Sequence, residues 1–227
     1  MTQLAFDLAH RPALGREDFL VAPCNAEAVA WLDRWPDWPA PALTLYGPAG
    51  CGKSHLAQVW RARSGAIALG GAALDVGRLP STLGDAQAAI LEDADAQVRD
   101  EEALLHLYNM LAERRGHLLL SARTPPARWP LKLADLRSRL VAAPAVAVAL
   151  PDETLIAALL VKLFADRQLR VSADLVDYLV PRLERSFEAV LTLVAALDAA
   201  ALEGQRAVTV PLARKVMDGI AEREGKR

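Results

Sequence analysis

The chain has almost no cysteine. Cys24 and Cys51 are the only thiols among 227 residues, and they lie far apart in sequence. That pattern excludes a disulfide framework and makes a reducing cytoplasm the natural compartment. The chain also lacks a basic excess, with 26 Lys and Arg against 28 Asp and Glu, a net charge of −2 and a pI of about 6.1. A free-standing nucleic-acid binder usually carries a basic footprint, so none is expected. No apolar run approaches the roughly 20 residues of a membrane span. The N-terminus has no basic region followed by an apolar run, so no signal peptide is expected. There is no internal repeat, and the many alanines sit within helical patterns. What remains is an ordinary globular composition, 53% hydrophobic and 24% charged, long enough for one sizeable core and a small second domain.

Against that background one stretch stands out. Gly47-Pro48-Ala49-Gly50-Cys51-Gly52-Lys53-Ser54 fits the phosphate-loop pattern G-x-x-x-x-G-K-[ST] at every fixed position. Ala42–Tyr46 before it is short and apolar, like a buried strand. The stretch from His55 to Trp60 after it reads as the first turns of a helix. Glycines let backbone N–H groups turn inward around a phosphate, and the helix N-terminus adds partial positive charge. Lys53 then reaches the β- and γ-phosphates, and the Ser54 hydroxyl ligates Mg²⁺. Gly47 through His55 are the cofactor-binding candidates, for ATP or ADP with Mg.

The second half of such a site follows a third strand. Ala88-Ala89-Ile90-Leu91 is apolar and ends in Glu92-Asp93-Ala94-Asp95. Glu92 is expected to steady Mg²⁺ and its water, and Asp93 to orient or deprotonate an attacking water. The bland alternative is an acidic turn after a buried strand.

Other strands are expected at Ala66–Leu69, His117–Ser121 and Val146–Leu150. Helices are expected after Asn25 as N-cap, over Glu101–Arg115 with Gly116 as its stop, and over Leu133–Leu140. The pattern reads as a parallel five-stranded α/β sheet. Trp35 and Trp38, in a proline-rich break, are expected to pack locally. From Pro151 the pattern is all helical. Caps are expected at Asp152, Ser172, Ser186 and Thr209, and Pro181 should kink or end the second of these helices. The expected domains are a peptide over 1–10, an α/β base over 11–150 and a helical lid over 151–227. Within the peptide, Gln3, Leu4, Phe6 and Leu8 read either as a first strand or as a linear motif that docks extended in an apolar groove. They resemble the clamp-binding peptide of bacterial replication proteins.

Several stretches together resemble the AAA+ core of the replication initiator DnaA. These are Asp18-Phe19-Leu20-Val21 with Asn25, the phosphate loop with His55-Leu56, Leu136-Arg137-Ser138-Arg139-Leu140, and Arg185-Ser186-Phe187-Glu188. A DnaA-like AAA+ P-loop NTPase core with a lid and an N-terminal Gln-Leu peptide is similar to the Hda family. The resemblance covers nearly the whole chain. It implies that Arg139 is an arginine finger for a neighbouring AAA+ subunit, with Arg137 competing for the role. It implies that Arg185 is a phosphate-sensing arginine on the lid. The tail would bind the DNA polymerase III β sliding clamp, so that DNA is met only through the clamp. The partner would be the DnaA initiator, whose ATP hydrolysis is stimulated and which is thereby inactivated. Homo-oligomerisation stays open.

Two positions depart from the pattern. The second strand-end acid is usually Glu after Asp, whereas this chain has Glu92 then Asp93. The polar sensor after the fourth strand is usually Asn or Asp, whereas Arg123 holds that place with Ser121 nearby. Both departures suit a site that holds nucleotide better than it cleaves it, at most a slow ATPase. A helicase-loader-like ATPase is the alternative, and a small P-loop kinase a more distant one.

Overall fold

The computed structural model describes residues 10–11, 19–204 and 207–224. Contacts divide the chain into two compact units, one over His10–Ala149 and one containing Leu150 onward. The clamp-peptide residues Gln3, Leu4, Phe6 and Leu8 lie outside the described residues.

The first unit opens with a short antiparallel pair, β1 (His10–Arg11) and β2 (Phe19–Leu20). The chain then runs through α1 (Ala26–Asp33), β3 (Ala42–Tyr46), α2 (Lys53–Ser64), β4 (Ile67–Leu69) and α3 (Leu79–Leu83). It continues through β5 (Ala88–Leu91), α4 (Ala94–Gln97), α5 (Glu101–Glu113), β6 (His117–Ala122), α6 (Ala134–Ala142) and β7 (Ala145–Ala147). Strands β3 to β7 form one parallel sheet in the order β4-β5-β6-β3-β7. Alternate residues serve opposite faces, as the two-residue period of a strand requires. Leu43, Leu45, Ile90, Leu119 and Val146 pack with Leu56 and Trp60 of α2 and Leu32 of α1. Ala42, Leu91, Leu118 and Leu120 pack with Leu104, Leu107 and Leu111 of α5 and Leu136 and Leu140 of α6. A sheet covered on both faces explains why its strands read as continuous apolar runs.

Several local expectations are corrected. Asn25 does not cap α1 with its side chain. Its Oδ1 accepts from Ala22 N at 2.9 Å and its Nδ2 donates to Leu20 O at 3.1 Å, so it ties down the segment before the helix. Helix α5 is capped instead by Asp100, whose Oδ1 accepts from Ala103 N at 2.9 Å. At its other end Arg115, not Gly116, takes the left-handed conformation, at φ 54°. Gly116 is needed for space, since a Cβ there would lie 2.3 Å from Gln87 O. The fifth strand stops at Ala147, three residues earlier than expected, and Leu150 is exposed.

The second unit is helical, with α7 (Glu153–Asp166), α8 (Ala173–Leu179), α9 (Phe187–Gly204) and α10 (Val210–Glu224). Its core is its own, built from Ile156, Leu160, Phe164, Leu175, Leu179, Leu193, Leu197 and Leu212 among others. Asp152 caps α7 through Leu155 N at 2.8 Å, and Ser186 caps α9 through Ala189 N at 3.0 Å. Ser172 makes no such bond. Pro181 ends α8, and Val180–Arg182 tightens into a 3₁₀ turn. Among the described residues no helix is long and apolar enough to cross a membrane.

The tryptophans do pack locally. Trp38 stacks on Trp60 with centroids 5.4 Å apart, and Trp35 meets Trp60 edge-on at 6.1 Å. His117, at the start of β6, lies edge-on to Trp38 at 5.3 Å and to Trp35 at 6.1 Å. Burial in this cluster lowers the His117 pKa, against smaller raising contributions from the Pro36 backbone and Asp37. The unfolded chain therefore binds this proton more readily than the folded one. His117 should cost nothing above about pH 6.5 and should destabilise the fold as pH falls below it, until the lowered folded pKa is reached. Urea midpoints measured from pH 7 down to 5.5 should fall less steeply for His117→Gln than for the wild type.

Candidate nucleotide site

The loop between β3 and α2 is shaped by close packing at its start and by left-handed turns within it. A Cβ on Gly47 would lie 2.1 Å from Val148 O, so only glycine fits there. Gly52, the residue before α2, has φ 96°, a conformation that costs other residues dearly. Pro48 and Ala49 form the exposed crest of the loop, and Ser54 and His55 are exposed on the first turn of α2. Cys51 is buried beneath the loop, at 1% exposure.

Lys53 is also buried, at 7% exposure. Its Nζ donates to Gly47 O and Pro48 O, both at 2.8 Å, and lies 3.6 Å from Cys51 Sγ. The loop's own carbonyls thus solvate the ammonium, which a buried charge requires. The Ser54 hydroxyl donates to Glu92 Oε2 across 38 residues of sequence. The expected metal pair is therefore brought together at the end of β5 and the start of α2. One hydroxyl and one carboxylate suit Mg²⁺, which keeps several waters and takes further oxygens from phosphates. Among the described residues no cluster of three or more His, Cys, Asp or Glu side chains could hold a metal without such help.

Asp93 follows with φ 48°, a left-handed conformation that costs about 1 kcal/mol or more outside glycine. Its N–H donates to Ser121 Oγ at 3.1 Å. The sequence reading gave no role to Asp95, yet Asp95 Oδ2 accepts from Arg123 N at 2.9 Å, Thr124 N at 3.1 Å and Thr124 Oγ1 at 3.3 Å. The Arg123 side chain is exposed. On the other side of β6, Ala122 O accepts from Gly47 N at 3.1 Å. No periodicity announces these bonds, because they join strand ends rather than residues on one face.

The two candidate fingers differ. Arg139 lies on α6 with its Nε 3.0 Å from Asp135 Oδ1 and its guanidinium 5.6 Å from the Tyr108 ring centroid. The hydrogen bond to Asp135 raises the Arg139 pKa further, against a small desolvation effect. Arg137 is exposed and pairs with no carboxylate among the described residues. In the helical unit Arg185 Nη2 lies 2.6 Å from Glu153 Oε1, with both side chains well exposed.

Comparison with known proteins places the chain. Residues 152–217 match the family described as Hda, lid domain. An uncharacterized protein of Haemophilus influenzae is 25% identical over 194 residues, covering 80% of this chain and 84% of its own. Domain III of the Thermotoga maritima replication initiation protein DnaA superposes with a TM-score of 0.74 at 14% identity, covering 88% of this chain and 94% of its own. AMPPCP-bound DnaA from Aquifex aeolicus gives 0.67 at 17% identity over 82% of this chain, which spans 65% of that DnaA. The parallel sheet with its helical C-terminal unit is the AAA+ fold. The lid match and the fold point the same way: residues 152–217 match the Hda lid domain, and the chain shares its fold with domain III of DnaA.

Proposed function

We propose that this protein is a nucleotide-binding regulator of bacterial replication initiation. It holds ATP or ADP with Mg²⁺, binds the DNA-loaded sliding clamp through its N-terminal tail, and stimulates ATP hydrolysis by the initiator DnaA, which switches the initiator off. The reading places it in the cytoplasm. The observation that carries it is the convergence of Lys53, Ser54 and Glu92 at one sheet end, in a chain whose C-terminal unit matches the Hda lid. The AMPPCP held by the Aquifex aeolicus DnaA supports a nucleotide as the ligand.

In this mechanism Lys53 exchanges the Gly47 and Pro48 carbonyls for phosphate oxygens. Ser54 and Glu92 hold the cation, which neutralises phosphate charge when bound. Asp93 orients water, and Arg185 answers to the phosphates from the lid. The finger, Arg139, has to leave Asp135 to reach a partner's nucleotide. An exposed ion pair four residues apart on a helix is weak, so this parking contact is cheap to break. An arginine supplied in trans accelerates GTPases by about 10³–10⁵-fold. A tether to the clamp raises the finger's effective concentration near initiator on the same DNA.

Lys53→Ala should weaken ADP binding by about tenfold or more, equal to about 1.4 kcal/mol, in calorimetry. Unchanged affinity would remove the loop from the function.

Cys51 gives a second reading of the same site. Its burial beneath the loop means that alkylation waits on local opening. Bound nucleotide should slow its reaction with iodoacetamide, measured by peptide mass spectrometry. Equal rates with and without ADP would place the ligand elsewhere.

Tether and finger should separate cleanly. Gln3→Ala with Leu4→Ala should abolish clamp capture and spare nucleotide binding. Arg139→Ala should leave both intact and lose stimulation of DnaA hydrolysis. Asp135→Ala, which frees the guanidinium, should stimulate at least as well as the wild type. Normal stimulation by Arg139→Ala with loss in Arg137→Ala would move the finger by two residues. Normal stimulation by both would end the regulator reading.

A further inference from the structure

The exit of β6 is bound on both sides by the two halves of the nucleotide site. Four consecutive residues take part. Ser121 Oγ accepts from Asp93 N, and Ala122 O accepts from Gly47 N. The Arg123 and Thr124 N–H groups, with the Thr124 hydroxyl, donate to Asp95 Oδ2. One carboxylate oxygen thus receives three hydrogen bonds from a neighbouring strand's exit, each linking residues 28 or 29 apart in sequence. A charged acceptor makes such bonds about twice as strong as neutral ones. Its other oxygen, Asp95 Oδ1, is buried without a partner among the described residues. That cost is borne by a side chain whose place is fixed entirely through Oδ2.

We infer that Asp95 is a positioning residue of the nucleotide site. From α4, just past β5, it does the work expected of a polar side chain at the end of β6, where this chain has Arg123. The place after the fourth strand is used through its backbone alone: Arg123 contributes an N–H, and its side chain is exposed. Asp95 holds that backbone, and the same backbone holds Asp93 through Ser121 and the phosphate loop through Ala122. The segment it fixes carries Ser121, which holds Asp93, one of the acids expected to face the terminal phosphate and its water. Loss of Asp95 therefore falls on ATP more than on ADP. The inference rests on the nucleotide-binding reading above.

The test uses the full chain, fluorescent ATP and ADP analogues, and thermal melts of each variant. Asp95→Ala should weaken ATP binding about tenfold or more and ADP binding about threefold or less. Asp95→Asn, which keeps an acceptor oxygen for both N–H groups, should restore ATP binding to within about threefold of the wild type. Arg123→Ala should leave both nucleotides within about twofold. If Asp95→Ala does not fold, Thr124→Val decides. It removes only the hydroxyl's bond and should weaken ATP about two- to threefold with ADP unchanged. Equal loss of both nucleotides in Asp95→Ala would reduce Asp95 to a structural brace. Failure of Asp95→Asn to rescue, no ATP effect in Thr124→Val, or selective ATP loss in Arg123→Ala would also overturn the inference. Lys53→Ala serves as the control. If the wild type binds neither analogue, or Lys53→Ala binds as the wild type does, the nucleotide reading itself has failed. Normal loss in Lys53→Ala with no effect at Asp95 sinks the positioning role alone.

Discussion

The start of the phosphate loop is gripped by its two neighbouring strands. On one side Gly47 N–H donates to Ala122 O at the end of β6. On the other its Cα presses so closely on Val148 O, just past β7, that no Cβ fits. The loop half of the candidate site leaves the sheet from this grip. The Gly47 carbonyl receives Lys53, and α2 begins six residues further on with Lys53 and Ser54. Central placement of β3, between β6 and β7, is what makes two-sided restraint available. Ligands in open α/β sheets gather at the strands' carboxyl ends, and here that edge is rigid where the anion is expected.

The electrostatics of the loop are self-contained. Lys53 is buried, and two carbonyls at 2.8 Å satisfy it, so the loop holds its shape without a counter-ion. Ser54 and Glu92 likewise satisfy one another. A phosphate and a cation therefore compete with existing hydrogen bonds rather than filling orphaned ones. Binding is an exchange, and its net gain is a difference between charge-assisted bonds of similar length.

Much of this was legible in the sequence, for a physical reason. A strand buried on both faces is a short apolar run, and Ala42–Tyr46 and Ala88–Leu91 are such runs with no polar interruption except Thr44. The phosphate loop is legible because its chemistry fixes glycines at set spacing. Asp152 and Ser186 are legible as caps because a cap binds two or three residues ahead. What escaped depends on contacts between distant segments. Asn25 looked like a cap and serves the chain behind it. Gly116 looked like a helix stop and is a spacer against Gln87. Asp95 was visible only as the last acid in a run, because its partners lie at the end of another strand. Arg139 could be named, but its pairing with Asp135 and the Tyr108 ring could not.

Helix α2 has a different neighbour at each end. Its first turn carries the side chains expected to bind phosphate, and ~10 Å along the axis Trp60 is stacked on Trp38 and met edge-on by Trp35. The helix is thus a short lever with its load at one end and an aromatic bearing at the other. It cannot tilt toward a ligand without shearing indole against indole. Because indole emission changes with ring contacts and polarity, the bearing is an optical gauge built into the protein. Strain placed on the helix by an anion at its first turn would be displayed at its far end, without a label and away from the ligand itself.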